Sequence, residues 1–384
     1  MKEIRVGLVG YGFMGKAHSN AYLKVAKFFP LKVKPVMKVI CDKVKSLANA
    51  GKENWGWEKI ETNYKKLLKS GEIDLVDITT PNNMHKEIAF AAAENGVHIA
   101  CEKPLAMDSD EARKMLKAVK KSKVKHMIWF NYRRVPAIGL AKRIIEEGRI
   151  GKIYHIRASY LQDWIMDPNF PLVWRLQKEI AGSGAHGDLN AHIIDLARYL
   201  VGEFDEVVGM DKTFIKRRPL VEEAVGLAGK GKKEKGKVTV DDAVLFLARF
   251  KNGTVGIFES TRFAGGRRNQ NQFEINGSKG SLAFKFERMN ELEFYSSKEP
   301  LYLQGFKTIL ATEGVHPYIS AWWPPGHTIG YEHTFINQAY DLIDGIVNNK
   351  KLIPDFEDGL KCQQVLDAVL KSSQERCWVK VDEM

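Results

Sequence analysis

Three closely spaced glycines near the amino terminus constrain this chain more than any other feature. An apolar run over 4–9 leads into Gly10, Gly12 and Gly15, and a helical pattern follows over 15–27. In such a unit the first glycine permits a tight turn, the second lets the backbone approach a pyrophosphate, and the third lets helix and strand pack closely. The free N–H groups at the helix start also favour an anion. The segment therefore predicts a dinucleotide-binding βα unit.

Strand and helix patterns alternate up to about residue 130. The predicted strands cover 4–9, 33–41, 73–79, 97–101 and 125–130, with helices that include 85–95 and 109–122. This alternation predicts an α/β fold, with a doubly wound parallel Rossmann sheet in a domain over 1–130. Strand after strand follows over 238–295, which indicates a mostly antiparallel sheet in an α+β domain over 131–384.

Composition excludes several other classes of protein. A chain of 384 residues suits two domains. The net charge of +12 first suggests nucleic acid, but the excess lysine is spread along the chain. Its densest run, 230–237, lies among glycines and is predicted to be a solvated mobile loop. We therefore expect no nucleic-acid partner. Since no apolar run approaches the roughly 20 residues of a bilayer span, we expect no membrane contact either.

Cysteine usage and the amino terminus predict a cytoplasmic protein. Of the four cysteines, none forms a Cys-x-x-Cys pair, so neither a zinc ribbon nor a disulfide framework is indicated. The first six residues run directly into a strand and leave no room for a signal peptide.

Asp42 ends the second predicted strand, where a carboxylate can accept both hydroxyls of the adenosine ribose. It would repel a 2′-phosphate, so it favours NAD over NADP. Lys43 and Lys45 stand nearby and could accommodate that phosphate instead. Asp42 also lies farther from Gly15 than the usual ~20 residues, which leaves open an ordinary carboxylate at the start of a loop. The predicted cofactor is NAD, with NADP as the alternative.

Four motifs follow one another along the chain. They are Gly10-x-Gly12-x-x-Gly15-x-x-His18, Thr80-Pro81-Asn82-x-x-His85, Glu102-Lys103-Pro104 and Asp188-x-x-x-His192-x-x-Asp195. Over nearly the whole chain this combination resembles the glucose–fructose oxidoreductase / inositol dehydrogenase / MocA family. Further stretches resemble its subgroup of inositol and levoglucosan dehydrogenases, namely Asn131-Tyr-Arg-Arg, Tyr160-Leu-Gln-Asp-Trp164, Trp174-Arg175 and Trp322-Trp-Pro-Pro-Gly-His327. The resemblance implies an open sheet in the second domain that builds a homodimer or homotetramer.

The resemblance also implies which residues lie along the cofactor. The predicted cofactor-binding residues are Gly10, Gly12, Phe13, Met14, Gly15, Asp42, Thr80, Pro81, Asn82, His85, Glu102 and Lys103. Two histidines have alternatives: His85 as a polar residue at a helix start, and His18 on the exposed side of the first helix. Pro81 can equally serve only to start a helix.

Oxidation of a secondary alcohol needs a base for the hydroxyl proton and a group that stabilises the developing charge on oxygen. His192 is the predicted base, and Asp188, one helical turn earlier, can orient it. Lys103 follows an apolar strand and can hold the reacting oxygen or relay the proton. The predicted catalytic residues are thus Lys103, Asp188 and His192, expected to meet beside the nicotinamide. The alternatives are a solvated polar helix face and a surface lysine.

A polyol needs many directional hydrogen bonds and an apolar platform. The predicted substrate-binding residues are Lys103, Tyr132, Arg133, Asp163, Trp164, Arg175, Asp188, His192 and His327. His186, Asp188 and His192 lie close together, but without an HExxH motif or cysteine cluster they predict no metal.

The function predicted is hydride transfer between NAD(P) and a secondary hydroxyl of a sugar, anhydrosugar or cyclitol. Two alternatives stay open. One is an enzyme that oxidises, cleaves or eliminates, and then reduces, so that NAD is recycled. The other is an NAD-binding regulatory protein without turnover, although such proteins normally lose the lysine or histidine that this chain keeps.

Overall fold

The computed structural model describes residues 2–225 and 228–384. The strands are β1 Glu3–Val9, β2 Lys34–Cys41, β3 Lys59–Glu61, β4 Leu75–Ile78, β5 His98–Glu102, β6 His126–Trp129, β7 Ile153–Leu161, β8 Phe204–Lys212, β9 Arg217–Val225, β10 Ala228–Lys237, β11 Ala243–Phe250, β12 Val255–Thr261, β13 Gln270–Gly277, β14 Gly280–Lys285, β15 Glu291–Ser296, β16 Lys307–Leu310 and β17 Val379–Lys380.

The α-helices are α1 Phe13–Phe28, α2 Lys45–Trp55, α3 Tyr64–Lys69, α4 His85–Glu94, α5 Ser109–Ser122, α6 Pro136–Glu146, α7 Lys178–Ala181, α8 Ala191–Leu200, α9 Tyr331–Val347 and α10 Phe356–Glu375. Backbone contacts divide the chain into two compact units. The first comprises Met1–Asn131 and Gly330–Lys361, and the second comprises Tyr132–Ile329 and Cys362–Met384. In the described ranges no helix is both long and apolar enough to cross a bilayer.

The first unit is built on a parallel sheet with strand order β3-β2-β1-β4-β5-β6. Strand β4 is buried along its whole length and β5 nearly so, as expected for strands covered by helices on both faces. The chain reverses direction across the sheet between β1 and β4, and open α/β sheets bind ligands at the carboxyl ends of strands beside such a point. Gly10, Asp42, Thr80 and Lys103 all lie at that edge, because each comes one or two residues after the end of a strand.

The segment Gly330–Lys361 lies with the first unit, whereas the sequence placed everything after residue 130 in the second domain. The physical reason is the packing of α9 against α1. The rings of Phe29 and Tyr340 stack with centroids 4.4 Å apart, and those of Phe13 and Tyr331 stack at 6.4 Å. The return of the chain to the first unit cannot be predicted from the local periodicity of hydrophobic residues.

The second unit is built on a nine-stranded sheet with order β16-β15-β14-β13-β7-β12-β11-β8-β17. All its pairings are antiparallel except that of β7 with β12. Helix α8 packs on one face, where Ile193 and Leu196 meet Ile156 of β7 and Phe273 of β13. The predicted fold class, a parallel Rossmann sheet followed by a large, mostly antiparallel sheet, is therefore confirmed.

The lysine-rich segment predicted to be a mobile loop is instead strand β10, paired antiparallel with β9 in a separate two-stranded sheet. Its glycines allow close packing that the lysine content conceals. A Cβ at Gly231 would lie 2.3 Å from the Pro219 side chain, and one at Gly236 would lie 2.6 Å from that of Leu172. The lysine content predicted a loop. This prediction was wrong, because the glycines let the segment pack closely as a strand.

Candidate active site

The glycine-rich turn after β1 has the geometry that a nucleotide phosphate site requires. Gly10 has φ +100°, and a Cβ there would lie 2.9 Å from the backbone of Thr79. A Cβ at Gly15 would lie 2.4 Å from the Gly10 carbonyl oxygen, so only glycine lets helix and strand approach this closely. Gly12 differs, because no atom of the described residues, its two chain neighbours aside, would lie within 4 Å of a Cβ there. The open space beside Gly12 suits a pyrophosphate at the start of α1.

Asp42 stands beside this turn at the end of β2. Its two carboxylate oxygens accept the backbone N–H groups of Tyr11 at 2.8 Å and of Val44 at 2.9 Å. Each oxygen keeps a second lone pair that can accept a ribose hydroxyl. The same contacts also suit a carboxylate that closes a loop, so both interpretations of Asp42 are compatible with its position.

The turn after β4 supplies the next predicted cofactor residues. The buried Thr80 hydroxyl has no hydrogen-bond partner within the described part of the chain, as expected of a group that awaits a ligand. Pro81 and Asn82 follow and are partly buried. The ring nitrogens of the fully buried His85 lie 3.1 Å from the Thr80 carbonyl oxygen and 3.0 Å from that of Pro104. His85 therefore fixes the Thr80 turn to the segment after β5, and burial lowers its pKa.

His18 does not lie on the exposed side of α1. Its side chain is fully buried, with Nδ1 2.8 Å from Asp77 and Nε2 2.9 Å from Glu102. Burial lowers its pKa, but the two carboxylates outweigh this effect and raise it to about 9. The second oxygen of Glu102 accepts the backbone N–H of Lys103 at 3.0 Å. Glu102, predicted to contact the cofactor, thus serves the protein's own backbone, while the Lys103 side chain is partly exposed.

In the second unit, His192 packs against two tyrosines. It is 6% exposed, and its ring centroid lies 4.4 Å from that of Tyr132 and 5.8 Å from that of Tyr160. The two tyrosine oxygens are 2.7 Å apart, and Tyr160 donates to Asn269 at 2.6 Å. The same Asn269 oxygen accepts the Gln162 amide at 2.9 Å. The tyrosines beside His192 therefore belong to a connected set of hydroxyl and amide groups.

Asp188 is joined to this set by a buried arginine. Arg262, 1% exposed, donates to the carboxylate at 2.6 Å, and its guanidinium lies 5.3 Å from the Trp164 ring. Trp164 in turn donates to Gln162 at 2.9 Å. Asp188 lies in a π-helical turn, His186–Asn190, just before α8. Such turns alter side-chain phase and recur at functional sites. The predicted solvated helix face is thus ruled out.

Arg133 was predicted to grip substrate, but its guanidinium is committed within the protein. It donates twice to Asp195, at 2.8 and 2.6 Å, and both side chains are buried. It also lies 4.9 Å from the Tyr199 ring. This bidentate pair fixes α8 to the segment before α6, so the structure favours a structural role for Arg133.

The remaining predicted substrate residues differ in setting. Asp163 accepts the Gly266 N–H at 3.0 Å and Arg268 at 3.2 Å, so it braces the loop before β13. The Arg175 guanidinium lies 4.4 Å from the ring of its neighbour Trp174. His327 is exposed, with Nδ1 2.9 Å from the Pro324 carbonyl oxygen of its own loop. Within the described residues, no cluster of three or more His, Cys, Asp or Glu side chains could hold a metal ion.

Four residues of this set were missed as site residues. Tyr160 and Gln162 were cited only within a stretch that resembles the subgroup. The other two are Arg262, which directly follows β12, and Asn269, which directly precedes β13. Their position at strand ends, around the Gly265-Gly266 turn, is the one signal that could have drawn attention to them. Nothing in their local sequence indicates that they contact Asp188 and Tyr160.

Family profiles match both parts of the chain. The profile described as "Oxidoreductase family, NAD-binding Rossmann fold" matches residues 4–130. The profile described as "GFO/IDH/MocA C-terminal domain" matches residues 138–283. The first agrees with the prediction of NAD as cofactor, and together they confirm the predicted family.

Similar proteins extend the match over the full length. The levoglucosan dehydrogenase of Pseudarthrobacter phenanthrenivorans is 46% identical, with 100% of both chains covered. The inositol 2-dehydrogenase of Rhizobium meliloti is 26% identical over 98% of this chain and 99% of its own. A solved levoglucosan dehydrogenase in complex with NADH and levoglucosan has a TM-score of 0.94 at 45% identity, covering 99% of this chain and 100% of that one. The chain belongs to the GFO/IDH/MocA oxidoreductase family and carries its NAD-binding Rossmann domain.

Proposed function

We propose that this protein uses NAD to oxidise a secondary hydroxyl of a small polyol, with the anhydrosugar levoglucosan as the first candidate substrate. Support comes from the levoglucosan dehydrogenase that matches the chain end to end at 46% identity. The more distant inositol dehydrogenases act on cyclitols by their names, so cyclitols and pyranoses are the next candidates.

Each catalytic candidate has a separate role in this proposal. When bound, the nicotinamide ring accepts the hydride. His192 takes the hydroxyl proton, since an imidazole titrates near neutral pH and can act as a base there. Asp188, held by Arg262, orients His192 and favours its charged form. Lys103 stabilises negative charge as it develops on the substrate oxygen.

One observation carries the proposal: the connected hydroxyl and amide groups around His192. Tyr132, Tyr160, Asn269 and Gln162 together offer donors and acceptors next to an aromatic surface. That combination suits a molecule with several hydroxyls on a ring. A binding protein without turnover would have no use for a base in that setting.

The test is a substrate panel of levoglucosan, inositols and monosaccharides, each with NAD and with NADP, read by absorbance of the reduced nicotinamide. We expect turnover with NAD and at least one of these polyols. Cleavage of a glycoside without net NADH would instead support the NAD-recycling enzyme. Tight NADH binding with no reaction on any substrate would support the regulatory protein.

We further propose that the protein is a homodimer or homotetramer, assembled through the face of the nine-stranded sheet opposite α8. Strands β8, β11 and β12 present Met210, Leu245, Leu247 and Ile257 there, each between 44% and 60% exposed. Leu247 lies opposite Ile257, and Leu245 opposite Met210, so these side chains share one face. Such a continuous apolar surface is typical of an interface. Leu247→Glu should lower the mass measured by light scattering, and an unchanged mass would exclude this face.

We also propose a cytoplasmic location. Cys41, Cys101 and Cys362 are buried, and none of the four cysteines forms a disulfide within the described residues. Free thiols persist in a reducing compartment. Cell fractionation would test this, and recovery of the protein from the secreted fraction would contradict it.

A further inference from the structure

A chain of buried polar contacts runs from helix α1 to the backbone of Lys103. His18, on α1, places Nδ1 2.8 Å from Asp77 of β4 and Nε2 2.9 Å from Glu102 of β5. The other Asp77 oxygen accepts the indole N–H of Trp129, on β6, at 2.9 Å. The other Glu102 oxygen accepts the Lys103 N–H at 3.0 Å. One imidazole therefore links the first helix to three neighbouring strands.

The contacts indicate that His18 carries a positive charge. A neutral imidazole has a single N–H, whereas both ring nitrogens here face carboxylate oxygens that can only accept. The doubly protonated ring satisfies both, and its charge offsets two buried carboxylates. The imidazole also packs against the ring of Trp129, with centroids 4.2 Å apart, and that of Phe335, at 5.2 Å. Asp77 and Glu102 are thus the charged groups that face the ring.

We propose that His18 is a positioning residue for Lys103, acting through Glu102. The imidazolium fixes one oxygen of Glu102, which leaves the other directed at the N–H of Lys103 and so sets the position of that residue at the end of β5. Without His18, two buried carboxylates would face one another unpaired, and one of them would move or take up a proton. This inference rests on the proposed function, in which Lys103 stabilises the reacting oxygen.

Two substitutions separate positioning from simple stabilisation. In His18→Gln the amide reaches as far as Nε2, so it can still donate to Glu102. In His18→Asn the amide reaches only as far as Nδ1, so it can still donate to Asp77 alone. Both remove the charge. Because small displacements of a catalytic group cost up to about a hundredfold in rate, we expect His18→Asn to lower kcat about tenfold to a hundredfold. His18→Gln should recover much of that loss.

The matched control is His126→Asn, which alters a partly buried histidine of the same unit. His126 begins β6, at the opposite edge of the sheet from Lys103, and accepts the Phe356 N–H. Turnover is expressed per NADH-binding site, titrated by fluorescence, so that unfolded protein does not count. We expect wild-type kcat for His126→Asn, and an NADH affinity within about twofold of wild type for all three variants.

Two outcomes would overturn the inference. One is wild-type kcat in both His18 variants, and the other is an equal loss in both, which would mean that contact with Glu102 does not matter. The variant Lys103→Met distinguishes a failure of the proposed function from a failure of the positioning role of His18. If Lys103→Met retains wild-type kcat, Lys103 is not catalytic and the proposed function fails. If Lys103→Met is inactive while His18→Asn is unimpaired, only the positioning role fails.

Discussion

The two units carry their candidate site residues in different ways. In the first, the residues lie near the ends of adjacent parallel strands, and backbone shape sets the candidate cofactor site: a turn at Gly10, open space at Gly12 and close packing at Gly15. In the second, the candidate site consists of side chains brought together from distant points of the sequence, such as Tyr132 and Asn269. We therefore expect cofactor affinity to respond to added atoms in the first unit, and turnover to respond to removed side chains in the second.

The largest effect is expected from His192→Ala. Loss of a general base typically costs about 10²- to 10⁴-fold in rate, so kcat should fall by that factor. NADH affinity, titrated by fluorescence, should stay within about twofold of wild type, because the substitution lies outside the Rossmann unit. His155→Ala, on β7 of the same unit, is the control and should keep its activity. Equal losses of turnover and cofactor affinity would mean that His192 has a structural role.

Gly12→Ala tests the first unit with a single methyl group. Gly12 has φ −97° and ψ −154°, an extended conformation at negative φ, and among the described residues, its two chain neighbours aside, no atom lies within 4 Å of the new Cβ. Thermal stability should therefore be unchanged, while NADH affinity falls about tenfold or more, equivalent to about 1.4 kcal/mol.

Gly10→Ala is the matched contrast. Its Cβ would lie 2.9 Å from the Thr79 backbone at φ +100°, so the melting temperature itself should fall. If Gly12→Ala bound NADH as tightly as wild type, the pyrophosphate would not lie against this turn.

Arg262→Met tests the anchor of Asp188. Without the guanidinium, the carboxylate loses the contact of 2.6 Å that fixes its position. We expect kcat to fall about tenfold with little change in NADH affinity, since misplacement of catalytic groups is costly. Arg143→Met removes an exposed pair with Glu147 and should change stability by no more than about 1 kcal/mol. Wild-type turnover in Arg262→Met would show that Arg262 plays no part in catalysis.

An effect no larger than that of Arg262→Met is expected from Asp42→Ala. In the proposed function the carboxylate accepts the ribose hydroxyls, and it also closes its own loop by accepting the Val44 N–H. NAD affinity should fall about tenfold, or about 1.4 kcal/mol, while NADP affinity is unchanged or improves. Dissociation constants for both cofactors measure this directly. Tighter binding of NADP than of NAD by the unaltered protein would reverse the predicted cofactor preference.

The difference between the units also explains what could be predicted from the sequence. The Rossmann motif is local, because its turn, its open space and its helix start all lie within six residues. The positions of Asp42, Thr80 and Lys103 near the ends of strands could be predicted as well, because each strand is a short, local run of apolar residues. By contrast, His18 belongs to the same motif, yet its burial depends on Asp77 and Glu102, which local periodicity does not connect to it.

In the second unit most of the missing information is non-local. Arg262 is 74 residues from Asp188, and Asn269 is 109 from Tyr160, so their contacts arise only when the large sheet forms. The same applies to Arg133, predicted to grip substrate but paired with Asp195 inside the unit. Residue type alone could not distinguish an arginine that binds a substrate from one that fixes a helix.

In the proposed function, Lys103 and His192 serve the same hydride-transfer step. A double-mutant cycle tests it most directly, with kcat measured for Lys103→Met, His192→Ala and the double variant. Residues that act as a unit in one step are strongly non-additive. We therefore predict a double variant no more than about tenfold slower than the worse single variant. A double variant slower by the full product of the two single losses would contradict the account.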